Sequence, residues 1–328
     1  MNVEQLPSFR QFDYRIRPNK NTERRMFSEA FRRLSVFGPV GSYKYIGFGS
    51  TTFADFILFH KALNITDMVS IEKRTEYESR FEFNKPFDCI QMKYGDSNQV
   101  LPRISWDKRT IVWLDYDGQL TDSVLRDVAF VSAKARSGSV LIITVNAYGY
   151  KSPRRTSYKK AEQIMLERFR RDSGLETLPK DIRGKHLEGT EMAKTYRRLV
   201  VDCIKQALRD RNGLSSDQSK MEYQSLFNFV YKDGAMMLTV GVIFYETGDK
   251  IILQQCQFEG LDYVTSENDA LYEIKVPVMT LRERHYLDQR LPRGACNEAL
   301  NIGLTEDEIG SYVRLYRHCP SFAEVELS

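Results

Sequence analysis

The chain has 328 residues, 42% of them hydrophobic, and a formal net charge of +4. That length buries a large core without covalent staples, and five scattered cysteines with no CxxC pair argue against a disulfide framework or a structural zinc site. No run approaches the roughly 20 apolar residues of a membrane span, and Met1-Asn2-Val3-Glu4-Gln5 lacks the basic and apolar regions of a signal peptide, so a cytoplasmic location is expected.

Residues 1–40 form a polar, mixed-charge extension. Within it Met26, Phe27, Ala30, Phe31 and Leu34 fall at helical spacing, which predicts a helix running to Arg33, with Asn21 or Thr22 as its cap. From Ser42 short apolar runs alternate with helical segments, the pattern of parallel βα units. Strands are expected near 43–47, 67–72, 87–93, 110–115 and 138–145. Crossover helices are expected at 53–63, 76–84 and 122–137, with little more than one helical turn around Gln99-Val100-Leu101-Pro102.

Residues 151–220 interrupt this alternation with a helical insertion holding 18 basic residues against 10 acidic ones, a candidate surface for an anionic partner or simply a solvated helical face. Two apolar runs follow, Leu226–Tyr231 and Ala235–Phe244, joined through Lys232-Asp233-Gly234. Asp-Gly between two such runs signals a hairpin. The expected fold is therefore α/β: a Rossmann-like, seven-stranded sheet of five parallel strands finished by an antiparallel hairpin, with helices on both faces. It divides into an N-terminal extension at 1–40, a main domain at 41–261 and a helical C-terminal extension at 262–328. In the last, Thr305 and Glu308 form a capping box before a helix.

Tyr45-Ile46-Gly47-Phe48-Gly49-Ser50 ends the first strand in Gly-x-Gly and opens a helix. Glycines there let a ligand approach the backbone, and the helix N-terminus offers N–H groups to a carboxylate. Glu72 closes the second strand, where a carboxylate accepts hydrogen bonds from two ribose hydroxyls. Asp96 and Ser97 follow the third strand, where an acid can accept from an exocyclic amine. Asp115 ends the fourth, and all four positions lie at carboxyl ends of strands, where open α/β sheets bind ligands.

In these residues, in this order, the chain resembles the class I S-adenosylmethionine-dependent methyltransferases over roughly residues 41–245, and more narrowly the bacterial proteins labelled putative O-methyltransferases. The resemblance implies S-adenosyl-L-methionine as cofactor. Gly47, Gly49 and Ser50 then lie against its methionine part, Glu72 on the ribose, Asp96 and Ser97 at the adenine, and Asp115 at the reaction centre. Two positions depart from the pattern: Tyr45 stands where the family has an acid, and Thr51 where it has a third glycine.

Positioning an acceptor against the methyl group carries most of such a reaction, and a base is needed only if the acceptor holds its proton. Asp117 is the candidate base or orienting group beside Asp115, with Tyr116, Asn146 and Tyr148 as candidate acceptor-binding residues. An Asp-Asn pair for a magnesium ion is missing, because Asn146 follows Val145, and no metal is expected. The acceptor stays open among small molecules, protein and RNA, as does the assembly state. The leading expectation is methyl transfer to oxygen. The alternatives are a methyltransferase-like binding or regulatory protein, as in bacterial defence, and a NAD-dependent oxidoreductase. The oxidoreductase is disfavoured because Thr52 stands where a dinucleotide loop needs its third glycine.

Overall fold

Alternating apolar runs of strand and helix length leave a chain one efficient way to hide both, a parallel sheet covered on each face. In the computed structural model, which describes residues 17–153, 157–175, 178–213, 216–264, 270–293 and 297–321, that solution is realised. After helix α1 (Pro18–Arg32) come β1 (Lys44–Gly47), α2 (Ala54–Leu63), β2 (Asp67–Glu72), α3 (Glu78–Asn84), β3 (Ile90–Tyr94), a single turn α4 (Ser97–Val100) and β4 (Thr110–Asp115). Then follow α5 (Asp122–Lys134), β5 (Val140–Asn146), the inserted helices α6 (Tyr158–Ser173) and α7 (Glu191–Asn212), and the hairpin β6 (Met221–Asp233) and β7 (Ala235–Glu246). Helix α8 (Lys250–Gln255), strand β8 (Tyr272–Ile274), α9 (Leu281–Asp288) and α10 (Glu306–Leu315) complete the order.

The strands lie in the order β3-β2-β1-β4-β5-β7-β6-β8. The first five are parallel, β7 runs antiparallel to both β5 and β6, and Gly234, with φ of +100°, makes the turn between β6 and β7. The sheet thus has eight strands, not seven. The eighth, β8, pairs parallel with β6 through Phe229–Tyr272, Val230–Glu273 and Tyr231–Ile274. Three residues are too few for a two-residue period to show, so sequence periodicity misses this edge strand.

Helix α1 also differs from expectation. It begins at Pro18 rather than at Asn21 or Thr22, because proline in the first helical position has the right φ and lacks an N–H that would be orphaned there anyway. Asn21 donates its backbone N–H to Arg17 O, and Thr22 Oγ1 donates to Pro18 O, so both are interior residues. Asn19 instead ties the helix start to the sheet: its amide nitrogen donates to Lys232 O at 3.1 Å, and its Oδ1 accepts from Val276 N at 2.7 Å.

One apolar cluster fills the face covered by α1, α2 and the C-terminal helices, joining Phe27 and Phe31 to Trp113, Phe229, Tyr312 and Leu315. The other lies under α5 and α7, joining Val112, Leu114, Val128, Leu199 and Ile204. No helix of the described residues is long and apolar enough to cross a membrane.

Candidate active site

The parallel strands end together, and their carboxyl ends open into a cavity of about 520 Å³. Its wall contains Gly49, Ser50, Glu72, Asp96, Ser97, Asp115, Tyr116 and Asp117, so eight of the residues singled out in the sequence meet in one place. Gly47 lies behind the lining. Asn146 and Tyr148 do not line the cavity: Asn146 turns its Oδ1 onto the backbone N–H of Tyr148 at 3.0 Å, and Tyr148 is exposed.

The glycine loop is built around β2. Gly49 N donates to Ser70 Oγ at 3.0 Å, and Ser50 N donates to Glu72 Oε1 at 2.6 Å. Ser50 and Phe53 both hold left-handed backbone, with φ of 53° and 46°. The glycines serve a purpose the sequence does not reveal. A Cβ on Gly49 would lie 2.5 Å from the Phe53 ring and 2.8 Å from Ser70 Oγ, and one on Gly47 would lie 2.7 Å from Tyr45 Oη. They clear space for neighbouring side chains of the protein itself.

Glu72 projects into the cavity with little solvent around it, and burial pushes its carboxyl up to about 7 against the opposing pull of the Ser50 N–H and the Ser70 hydroxyl. Beyond it, Asp96 pairs with Lys73 at 2.7 Å. Ser97 Oγ and Asn98 Nδ2 donate to Asp127, and Tyr116 donates its hydroxyl to Asp127 Oδ2 at 2.5 Å. This buried aspartate on α5 thereby fixes the wall on which Tyr116 stacks edge-on against Phe48.

At the end of β4 the surroundings differ from what the sequence suggests. Asp115 accepts from Lys20 Nζ at 2.8 Å, and the same ammonium reaches Tyr231 Oη at 2.9 Å and Glu23 Oε2 at 2.9 Å while lying 4.3 Å above the Trp113 ring. Burial raises the Glu23 carboxyl and outweighs the lowering by Lys20. Arg24, one position on, lines the cavity. Asp55, in the first turn of α2, does so too and accepts from the Tyr45 hydroxyl, with burial raising its carboxyl and Arg24 opposing that rise.

Lys20, Glu23, Arg24, Asp55 and Asp127 were all missed in the sequence. A signal existed for the first three. They fall three and four residues apart on the same stripe as Phe27 and Phe31, so the apolar face of α1 continues as a charged one.

Several basic residues of the insertion are engaged within the chain while their side chains stay exposed. Arg168 and Arg171 pair with Asp172, Arg198 with Asp181, Lys194 with Glu191 and Lys220 with Asp217, while Arg211 donates to the carbonyls of Ser132 and Ala135. Arg154 and Arg155 of the run 151–160 lie outside the described residues. Among the described residues no three His, Cys, Asp or Glu side chains gather closely enough to hold a metal ion.

A family model described as "Putative O-methyltransferase" matches residues 12–327. The chain belongs to this family. Its strand order, five parallel strands followed by an antiparallel hairpin, is the Rossmann-like arrangement expected for such a protein. No curated protein matches the chain. Among solved structures it is similar to Trm1 from Pyrococcus horikoshii in complex with S-adenosyl-L-methionine, at 12% identity and a TM-score of 0.42, over 69% of this chain and 57% of that one. It is also similar to cofactor-bound Rv0187 from MTB, at 11% identity and 0.35, over 66% and 80%, and to precorrin-6y C5,15-methyltransferase from Geobacter metallireducens, at 10% and 0.32, over 65% and 85%. The chain thus spans little more than half of the Pyrococcus protein. At such identities and scores these neighbours say nothing of what this family member acts on.

Proposed function

We propose that the chain binds S-adenosylmethionine in the cavity at the strand ends and passes its methyl group to an oxygen of a small-molecule acceptor. The observation that carries the reading is Glu72, a carboxylate held by the Ser50 N–H and turned into a 520 Å³ cavity, a size ordinary for a small-ligand site. Burying such a group has a cost unless something bound there uses it, and the two hydroxyls of a ribose suit its two oxygens. Asp96, on the neighbouring strand end, faces the same space and suits an exocyclic amine.

When bound, the donor supplies a methyl group activated by a sulfonium for in-line displacement. This chain's own residues supply position and a proton acceptor. Asp115 has one oxygen engaged by Lys20, which suits it to orienting an acceptor. Asp117, on the exposed loop that follows, reaches the cavity and is the residue we assign to taking the acceptor's proton. Ion pairs within the chain engage Arg168, Arg171, Lys194 and Arg198 of the basic residues on α6 and α7, and charges so engaged favour a small acceptor over a nucleic acid.

Calorimetric titration of the full chain with S-adenosylhomocysteine and with NADH tests the donor. Binding of the first is expected, and binding of NADH alone would overturn the reading. Transfer of labelled methyl groups to a metabolite fraction, lost in Asp117→Ala, tests the acceptor half. Transfer only to RNA or protein would replace the small-molecule assignment.

A further inference from the structure

We propose that Glu23 weights the cavity toward the charged sulfonium donor and against its neutral thioether product, acting through Lys20 and Asp115. The inference rests on the donor reading above and concerns the charge at the end of β4.

One ammonium serves two carboxyl groups there. Lys20 Nζ lies 2.8 Å from Asp115 Oδ1 and 2.9 Å from Glu23 Oε2. Asp115 lines the cavity and is a quarter exposed, whereas Lys20 and Glu23 lie behind it, out of the lining and buried. An ammonium in that place would by itself cancel the charge of Asp115 and oppose a cation in the cavity. Glu23 offsets the ammonium, so with all three groups charged one negative charge is left over, and Asp115 is the member that presents it to the cavity. The other ionisable groups of this end do not supply that charge. Arg24 and Asp55 act on each other, burial holds the Tyr45 and Tyr231 hydroxyls neutral, and Asp233 accepts from Asn19 and the Lys20 N–H at the start of α1.

Glu23 is also placed as an acceptor. Trp113 Nε1 donates to Thr144 Oγ1 at 3.0 Å, Thr144 Oγ1 meets Thr239 Oγ1 at 2.8 Å, and Thr239 donates to Glu23 Oε1. An indole N–H can only donate, and a run of donors that ends on Glu23 suits a carboxylate. Burial favours the neutral acid, while Lys20 and the Thr239 hydroxyl favour the charged one. A cation arriving beside Asp115 adds to their pull, because it competes with Lys20 for Asp115 and leaves the ammonium to Glu23. The donor and its product differ by one methyl group and the positive charge that it brings, so a negative charge at this point separates the two.

Calorimetric titration of the full chain with S-adenosylmethionine and with S-adenosylhomocysteine gives the ratio of the two affinities. Glu23→Gln keeps the size and removes the charge. It should cut the ratio in favour of the sulfonium by roughly tenfold, the order expected of one charge acting across several ångströms of protein interior, chiefly by weakening S-adenosylmethionine. Thr239→Val, which removes the hydroxyl bonded to the same carboxyl, should cut it in the same direction by about threefold. An unchanged ratio in Glu23→Gln, including the equal weakening of both ligands that a purely structural role would give, overturns the inference while the donor reading stands. If wild-type protein binds neither ligand, both fall. If Glu23→Gln fails to fold, Thr239→Val decides, and an unchanged ratio there overturns the inference.

Discussion

The ammonium of Lys20 lies 2.8 Å from Oδ1 of Asp115, joining the first described helix to the end of a strand 95 residues away. The contact is inside the protein: Lys20 is 2% exposed and also meets Glu23, which has no exposed surface. Removing the cation leaves two carboxyl groups without their counter-ion, Glu23 with the Thr239 hydroxyl and Asp115 a quarter exposed, and breaking a buried pair from one side costs about 3–5 kcal/mol. Lys20→Met, which keeps the aliphatic stem over Trp113, is expected to lose that much stability in urea unfolding at pH 7. Adding Glu23→Gln should restore part of it by removing one of the two stranded acids. A single variant within about 1 kcal/mol of wild type would mean that α1 is held by its aromatic contacts alone.

Glu72 gives a pH dependence with a definite sign. Burial raises its carboxyl to about 7, so between pH 6 and 8 it passes from mostly neutral to mostly charged. The raised value means that the folded state holds the proton more tightly than the unfolded chain. Its contribution to stability is therefore complete below the ordinary carboxylate range and lost as pH rises through about 7. Ligand binding runs the other way, because two donating hydroxyls favour the carboxylate form. Affinity for S-adenosylhomocysteine should rise from pH 6 to pH 8, and the rise should vanish in Glu72→Gln. A profile that stays sloped in that variant would assign the titration to another group.

The strand ends and the acids that close them were legible because they are local: a buried parallel strand has few ways to end, and Glu72, Asp96 and Asp115 each follow directly from such an end. The Asp233-Gly234 hairpin and the Thr305–Glu308 capping box were legible for the same reason. What escaped depends on distant pairing. Nothing near Asp115 announces that Lys20 will neutralise it, nothing near Tyr45 that its hydroxyl will reach Asp55, and nothing in Tyr272–Ile274 that it will pair with β6. Asn146 and Tyr148 are expected at the site because β5 neighbours β4. The Asn146 backbone N–H does bond Gly118 of the cavity wall, but its side-chain oxygen is taken by the Tyr148 N–H.

Asp127 acts on the site without lining it. It is buried and accepts from Ser97, Asn98 and Tyr116, so it secures two cavity residues from below. Asp127→Ala would take the carboxylate from the Ser97 and Tyr116 hydroxyls and one of two acceptors from the Asn98 amide, which keeps Ser123 O, and each hydroxyl left dry costs about 1–3 kcal/mol. Water entering the space recovers part of that, so a net loss of about 2–4 kcal/mol in urea unfolding is expected. Affinity for S-adenosylhomocysteine should fall as well, because Tyr116 loses the bond that sets its ring against Phe48. Asp127→Asn keeps the size but replaces one acceptor oxygen by a donor, and should lie between wild type and alanine. Loss of stability with no change in affinity would show that Ser97 and Tyr116 do not need fixing to bind.

Gly49 separates two reasons for a glycine at a strand end. If it is small to admit a ligand, an alanine there weakens binding and leaves the empty protein as stable as before. The contacts point elsewhere: the added Cβ falls 2.5 Å from Cδ1 of Phe53 and 2.8 Å from Ser70 Oγ. Neither neighbour yields easily. Phe53 is fully buried with left-handed backbone, and Ser70 holds both the Gly49 N–H and the Glu72 carboxylate. Gly49→Ala should therefore destabilise the ligand-free protein by about 1–3 kcal/mol, the usual cost of overpacking. Trimming the obstacle in Gly49→Ala/Phe53→Leu should recover more than Phe53→Leu alone predicts, a non-additivity of at least about 0.5 kcal/mol. Full stability of the alanine variant together with lost binding would return the glycine to the ligand. Loss of stability without ligand assigns it to the side chains packed beneath the loop.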